Sequence, residues 1–127
     1  MTDQSKKVLV VEDEADMRQA LAESLKHEGF EVIEAANGGE GLEAAIAYRP
    51  DLIILDILMP KVGGMEMMKK LRAHSEWGRK VQIILLTNLS ADEKIMQGIV
   101  EDEPSYYFVK SDWKIPDVME KVREMLK

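Results

Sequence analysis

Residues 50–56 read Pro-Asp-Leu-Ile-Ile-Leu-Asp, a turn followed by four apolar residues and an aspartate. A continuous apolar run bounded by turn residues is typical of a parallel strand that helices cover on both faces. Residues 8–11, 83–86 and 106–109 have the same character, whereas residues 31–35 have polar flanks and are typical of an edge strand. The sequence therefore predicts five strands.

Between these runs the apolar residues recur at helical spacing, which predicts five helices. The recurring sets are Met17, Leu21 and Leu25; Leu42, Ala45 and Ile46; Met65, Met68, Leu71 and Arg72; Ile95, Met96, Ile99 and Val100; and Ile115, Val118, Met119, Val122 and Leu126. Turn signals separate the elements, among them Trp77-Gly78, where we predict a break. Alternating strands and helices predict an α/β fold with a doubly wound parallel sheet.

The composition limits the classes of function. The chain has 127 residues and no cysteine, which excludes disulfides, thiolate metal sites and cysteine nucleophiles. Its 17 Lys and Arg residues face 24 Asp and Glu residues, and the resulting formal charge of −7 opposes direct binding of nucleic acid. No apolar run is long enough for a membrane span, and no signal peptide begins the chain. We therefore expect a single cytoplasmic domain over residues 1–127, without a separate output domain.

Polar side chains follow four of the predicted strands. Glu12 and Asp13 come after the first strand, Asp56 after the third, Thr87 after the fourth and Lys110 after the fifth. In a doubly wound sheet, ligands bind beyond the carboxyl ends of the strands. Taken singly, each residue has an ordinary explanation as a solvated loop acid, a turn residue or a surface lysine. Their agreement at four strand ends is hard to attribute to coincidence.

Neighbouring carboxylates at these ends would repel one another. Two of them about 5 Å apart repel by roughly 3 kcal/mol at an effective dielectric constant near 20. A hard divalent cation such as Mg²⁺ suits an all-oxygen site and would offset the repulsion. Lys110 and Thr87 would add an ammonium and a hydroxyl group, so the set is suited to holding a phosphoryl group.

The ordered set of motifs resembles the receiver domain of response regulators in two-component signalling. The resemblance covers essentially the whole chain and implies a flavodoxin-like fold, with strand order 2-1-3-4-5 and five helices on two faces. It rests on residues 8–14, on residues 50–56 followed by Met59-Pro60 and Gly64, on Leu86-Thr87 and on residues 107–110.

The resemblance implies a role for each acidic residue. Asp56 would be the phosphoacceptor, taking a phosphoryl group from a phosphohistidine of a sensor histidine kinase or a phosphotransfer protein. Asp13, Asp56 and the backbone carbonyl of Leu58 would bind Mg²⁺, and Glu12 would act through water. The protein would then be a signalling module rather than an enzyme with an external substrate, although it would catalyse its own phosphorylation.

The resemblance also implies a route for the signal. Thr87 and Lys110 would hold the phosphoryl oxygens, and Tyr107 would turn inward behind Thr87. The altered surface would be the face formed by the fourth predicted helix, the fifth strand and the fifth predicted helix. An unknown output protein would bind there, and the chain would be a monomer or a phosphorylation-dependent dimer.

Two departures from the family pattern bear on the site. Ser111 stands where the family usually has a proline with a cis peptide bond, and a cis bond before a non-proline residue costs about 3 kcal/mol. Leu58 and Leu89 occupy positions that influence hydrolysis in the family, and neither can orient a water molecule. We therefore predict slow autodephosphorylation.

Three other functions are alternatives to this one. A Mg²⁺-dependent aspartyl-phosphate phosphatase normally has a second acid two residues after the nucleophile, where this chain has Leu58. A flavin-binding electron carrier would need a phosphate loop after the first strand, and acidic residues stand there instead. A receiver-like module that acts unphosphorylated is opposed by the intact acidic residues, Thr87 and Lys110.

Overall fold

The computed structural model describes residues 6–56, 64–87, 106–109 and 114–126. Within these ranges, strands alternate with helices along most of the chain. The strands are β1 (Lys7–Val11), β2 (Glu31–Ala35), β3 (Leu52–Asp56), β4 (Gln82–Thr87) and β5 (Tyr106–Val109). The helices are α1 (Ala15–His27), α2 (Gly38–Tyr48), α3 (Gly64–His74), α4 (Glu76–Lys80) and α5 (Ile115–Met125).

The five strands form one parallel sheet with the order β2-β1-β3-β4-β5. The doubly wound topology and the edge position of β2 are as predicted from the sequence. In the pairing register, Val11 lies opposite Leu55, and Asp56 lies opposite Leu86. The residues that follow β1 therefore lie beside the end of β3.

Two apolar layers cover the faces of the sheet, because alternate strand residues point to opposite sides. The layer under α2 and α3 contains Leu9, Val11, Ala35, Ala45, Ile53, Leu55, Met67, Met68, Leu71, Val81, Ile83 and Leu85. The layer under α1 and α5 contains Val8, Val10, Leu21, Leu25, Leu52, Ile54, Ile84, Leu86, Val118, Met119 and Val122. The central strands are buried on both faces, which explains their continuous apolar sequences.

The helix α2 is held close to the sheet by its first turn. The side chain of Asn37 caps the helix by accepting a hydrogen bond from the backbone N–H of Glu40 at 2.9 Å. Gly41 faces β1 so closely that a Cβ atom there would lie 2.8 Å from a methyl group of Val11. A larger residue at position 41 would push α2 away from the sheet.

The short helix α4 corrects one prediction, because the turn expected at Trp77-Gly78 is helical. Ser75 caps this helix by accepting a hydrogen bond from the N–H of Gly78 at 3.0 Å. Nη1 of Arg72 donates to the carbonyl oxygens of Gly78 at 2.9 Å and Val81 at 2.7 Å. The Trp-Gly pair was a misleading turn signal, because side chains outside the pair stabilise the helix.

The helix predicted around residues 90–100 lies outside the described residues. The positions of Leu58, Leu89, Lys110 and Ser111 also lie outside them. Among the helices that are described, none has the length and apolar character that crossing a membrane requires.

Candidate functional site

Three acidic side chains converge at the carboxyl edge of the sheet. Glu12 and Asp13 follow β1 directly, and Asp56 is the last residue of β3, the neighbouring strand. One carboxylate oxygen from each of the three residues lies within 4.8 Å of the other two. The side chain of Glu12 is buried, with the residue only 6% exposed, whereas Asp13 is exposed and Asp56 is half-buried. This convergence at the carboxyl ends of β1 and β3 is as predicted from the sequence.

The turn that carries Glu12 and Asp13 is held by hydrogen bonds on three sides. The backbone N–H of Glu12 donates to the carbonyl oxygen of Ala35 in β2 at 3.1 Å. The N–H of Glu14 donates to Oε2 of Glu12 at 3.0 Å, and Nη1 of Arg18 donates to the Glu12 carbonyl oxygen at 2.9 Å. These bonds fix both the backbone and the side chain of Glu12.

Arg18 connects this turn to the edge strand. Its Nε lies 3.5 Å from Oε1 of Glu34 in β2, while its Nη1 holds the Glu12 carbonyl. Arg18 was not among the site residues predicted from the sequence. The available signal was a basic residue directly after Met17, at the margin of the apolar stripe of α1. A charge there is well placed to reach the sheet beneath the helix.

The environment of Glu12 makes its ionised form costly. Burial raises the pKa of Glu12 from its usual 4.5 to about 8, even though the hydrogen bond from the Glu14 N–H lowers it. The neighbouring carboxyl groups of Asp56 and Asp13 contribute a smaller part of this rise. The cluster therefore favours either retention of a proton or binding of a cation.

The donor set fits a hard divalent cation. All three side chains offer oxygen ligands, which Mg²⁺ prefers, and waters commonly complete its coordination. Oxygens that share one Mg²⁺ at about 2.1 Å lie roughly 3 to 4 Å apart. A spread of up to 4.8 Å between these carboxylates is close to that geometry and leaves room for one ligand to act through water. The arrangement is compatible with Mg²⁺ binding.

The sheet register gives the backbone positions of two further predicted residues, Thr87 and Tyr107. Thr87 ends β4, one residue beyond Leu86, which lies opposite Asp56. Val109, the last residue of β5, lies opposite Thr87, and Lys110 lies outside the described residues. Tyr107 lies opposite Leu85. The backbone thus brings Thr87 to the same edge of the sheet as the three acids.

The chain is similar to a known protein family and to individual proteins of that family. The model described as the response regulator receiver domain matches residues 8–123. The Probable transcriptional regulatory protein TcrX of Mycobacterium tuberculosis is 29% identical over 120 residues, which are 94% of this chain and 49% of that protein. The chain thus spans about half the length of this curated relative.

Two solved structures have closely similar folds. The chemotaxis response regulator CheY4 of Vibrio cholerae superposes with a TM-score of 0.86 at 30% identity, over 97% of this chain and 100% of that one. The signal receiver domain of a signal transduction histidine kinase from Syntrophus aciditrophicus superposes with a TM-score of 0.85 at 29% identity, over 96% and 90% of the two chains. With its acid cluster and its sheet order, this chain therefore belongs to the response regulator receiver domain family of two-component signalling.

Proposed function

We propose that the chain is a phosphorylation-dependent switch in which Asp56 accepts a phosphoryl group from a phosphohistidine. Receiver domains pair with histidine kinases or phosphotransfer proteins, and these are the donors we propose here. The observation that carries the proposal is the meeting of the Glu12, Asp13 and Asp56 carboxylates at the end of the central strand β3. The phosphatase and the flavin carrier considered above gain no support from the family match.

The transfer step needs an ionised Asp56. One oxygen of its carboxylate forms the new P–O bond, while the P–N bond to the donor histidine breaks and its electron pair stays on the imidazole. The transition state is loose, so the protein mainly aligns the reacting atoms and neutralises charge. A positive charge held beside Asp56 would favour its ionised form.

Asp13, Asp56 and the Leu58 carbonyl would hold Mg²⁺, with Glu12 acting through water. The bound cation supplies positive charge and a coordination position for a phosphoryl oxygen. Arg18 keeps the acid turn in place through its bond to the Glu12 carbonyl. The resulting rigid turn holds the Asp13 backbone in a constant position relative to β3.

Thr87 and Lys110 would contact the phosphoryl oxygens, the former by its hydroxyl group and the latter by its ammonium group. Movement of Thr87 would be coupled to rotation of Tyr107, which lies on the adjacent strand β5. The surface near β5 and α5 would then change between two states, and an output protein would bind one of them better. We further propose a cytoplasmic location, a single receiver domain over residues 1–127, and a monomer or phosphorylation-dependent dimer.

Intact-mass analysis after incubation with Mg²⁺ and acetyl phosphate tests the proposal. The mass of the wild type should rise by one phosphoryl group, and that of Asp56→Ala should not. Asp51→Ala is the matched control, because Asp51 is an exposed aspartate at the other end of β3. A phosphorylated phosphotransfer protein serves as a second donor, since it carries the phosphohistidine that the proposal names. The proposal would be refuted if Asp56→Ala were phosphorylated to the wild-type level. It would also be refuted if neither donor phosphorylated either protein.

A further inference from the structure

Positive charge is concentrated on one part of this acidic chain. Residues 64–80, which span α3 and α4, contain five Lys or Arg residues and two glutamates, a formal charge of +3. Because the whole chain carries −7, the remaining residues together carry −10. Such segregation creates a local potential that attracts acidic partners even when the net charge of the protein is negative.

Aromatic side chains accompany this charge. Tyr48, the last residue of α2, is 57% exposed. The guanidinium carbon of Arg49 lies 5.7 Å from the ring centroid of Trp77, which is partly buried against the core. The side chains of Arg79 and Lys80 in α4 are 67% and 70% exposed. We call these five residues the basic face.

The segment that presents the basic face is held in one conformation. Ser75 caps α4, and Nη1 of Arg72 bonds the carbonyl oxygens at the end of that helix. Gly78 is buried so tightly against α3 that an added Cβ atom would collide with the backbone carbonyl of Leu71. A surface that is ordered before binding loses less conformational entropy when a partner binds.

The basic face lies at the amino edge of the sheet, away from the acid cluster. Tyr48 and Arg49 lead into β3, and α4 leads into β4. Asp56 is at the opposite end of β3, which at about 3.3 Å per residue places it roughly 13 Å from the start of the strand. A partner on the basic face would therefore leave Asp56 accessible.

We propose that the basic face binds an acidic segment of another protein, whether or not Asp56 is phosphorylated. Tyrosine, tryptophan and arginine are the residue types that dominate binding energy at protein interfaces. The Lys and Arg side chains would meet carboxylates, while Tyr48 and Trp77 would cover an apolar residue of the segment. A long nucleic acid is a poorer fit, because its phosphates would extend past the basic face onto the acidic remainder of a chain with a formal charge of −7.

The fluorescence of Trp77 gives a local measurement of binding. The chain has two tryptophans, so Trp113→Phe leaves Trp77 as the reporter. The probe is a short synthetic peptide of glutamates around a central pair of leucines. We expect a saturable change in emission at about 0.02 M salt that weakens at about 0.2 M salt, as exposed charge interactions do.

Two charge-reversed variants in the Trp113→Phe background separate the basic face from the overall charge. Arg79→Glu with Lys80→Glu should weaken peptide binding at least about fivefold. Lys26→Glu with Lys114→Glu makes the same change in net charge at two exposed lysines outside the basic face and should leave affinity within about twofold. Asp56→Ala should bind as the wild type does, which separates this proposal from the phosphorylation proposal.

Three outcomes would overturn the proposal: no response of Trp77 to the peptide, equal weakening in both charge-reversed variants, or tighter binding of a single-stranded DNA oligonucleotide than of the peptide. Retained phosphorylation of Asp56 alongside any of these would leave the switch function standing. Loss of phosphorylation with intact peptide binding would refute the switch function and leave the basic-face proposal standing.

Discussion

At its carboxyl edge the sheet ends in clustered acids, whereas at its amino edge it is bordered by exposed bases. The acids share a small volume, and Glu12 is buried beneath them. The bases of α4 lie in water and pair with a single exposed glutamate, Glu76. The two edges of one sheet thus differ: carboxylates are crowded at the carboxyl edge, and basic side chains are spread through solvent at the amino edge.

The difference shows where charge has energetic consequences. Ion pairs between exposed side chains, such as Lys80 with Glu76, contribute about 0 to 1 kcal/mol. Burial of Glu12 beside Asp56 moves its pKa from 4.5 to about 8, so ionisation of Glu12 is disfavoured at neutral pH. We therefore expect the carboxyl edge to respond to pH and cations and the amino edge to respond mainly to backbone packing.

The largest expected effect is at the amino edge. Gly78→Ala should lower the free energy of unfolding by about 2 to 4 kcal/mol, because the new methyl group would collide with the Leu71 carbonyl and displace α4. Urea unfolding followed by circular dichroism measures this. Gly39→Ala is the matched control, since its Cβ atom would meet only Asn37 Oδ1 at 3.3 Å. An equal loss in both variants would show that α4 is not tightly packed.

The second effect is at the carboxyl edge and depends on pH. The pKa of Glu12 is raised in the folded state, so the folded protein binds the proton more tightly than the unfolded chain does. The contribution to stability is fully present below pH 4.5 and is lost as pH rises towards about 8. Without Mg²⁺, Glu12→Gln should therefore be more stable than the wild type by about 1 to 3 kcal/mol at pH 8.

Thermal unfolding in the presence of a metal chelator, at a series of pH values, measures the stability difference between Glu12→Gln and the wild type. The gain should shrink as pH falls towards 5, because Glu12 is then protonated and resembles glutamine. Glu43→Gln, an exposed glutamate in α2, should show no such trend. The same pH trend in both variants would place its origin in the overall charge rather than in the cluster.

A third effect concerns the support of the acid turn. Arg18→Ala removes the bond to the Glu12 carbonyl and the pair with Glu34, and it should lower the free energy of unfolding by about 1 to 2 kcal/mol. It should also weaken Mg²⁺ binding, measured by calorimetry, by about three- to tenfold. Arg123→Ala is the control, because its 2.9 Å pair with Glu28 joins α5 to α1 without touching the turn. Unchanged Mg²⁺ affinity in Arg18→Ala would restrict Arg18 to a structural role.

The same contrast explains what could be predicted from the sequence. The apolar runs of β1, β3 and β4 and the acids that end them are local patterns, so the fold and the meeting of Glu12, Asp13 and Asp56 were predictable. The role of Arg18 was missed because its main partner is a backbone carbonyl, which leaves no pattern in the sequence.

The helix α4 was missed for a related reason. Its stability depends on Arg72, whose partners are backbone carbonyl oxygens in and directly after that helix. Position 78 also has to be glycine for packing rather than for a turn. The roles of Lys110 and Leu58 stay predictions, since both lie outside the described residues.

The smallest effect tests the backbone at the end of α2. Arg49 caps this helix in the left-handed region, with φ at 45°, a conformation that favours glycine. Both Arg49→Gly and Arg49→Ala lose the contact with Trp77, but only glycine relieves the backbone strain. Arg49→Gly should therefore be more stable than Arg49→Ala by about 1 kcal/mol in urea unfolding. The order should reverse at the exposed helical residue Ala47, where Ala47→Gly should be less stable than the wild type by a similar amount. If alanine at position 49 were instead more stabilising than glycine, the left-handed cap at Arg49 would be contradicted.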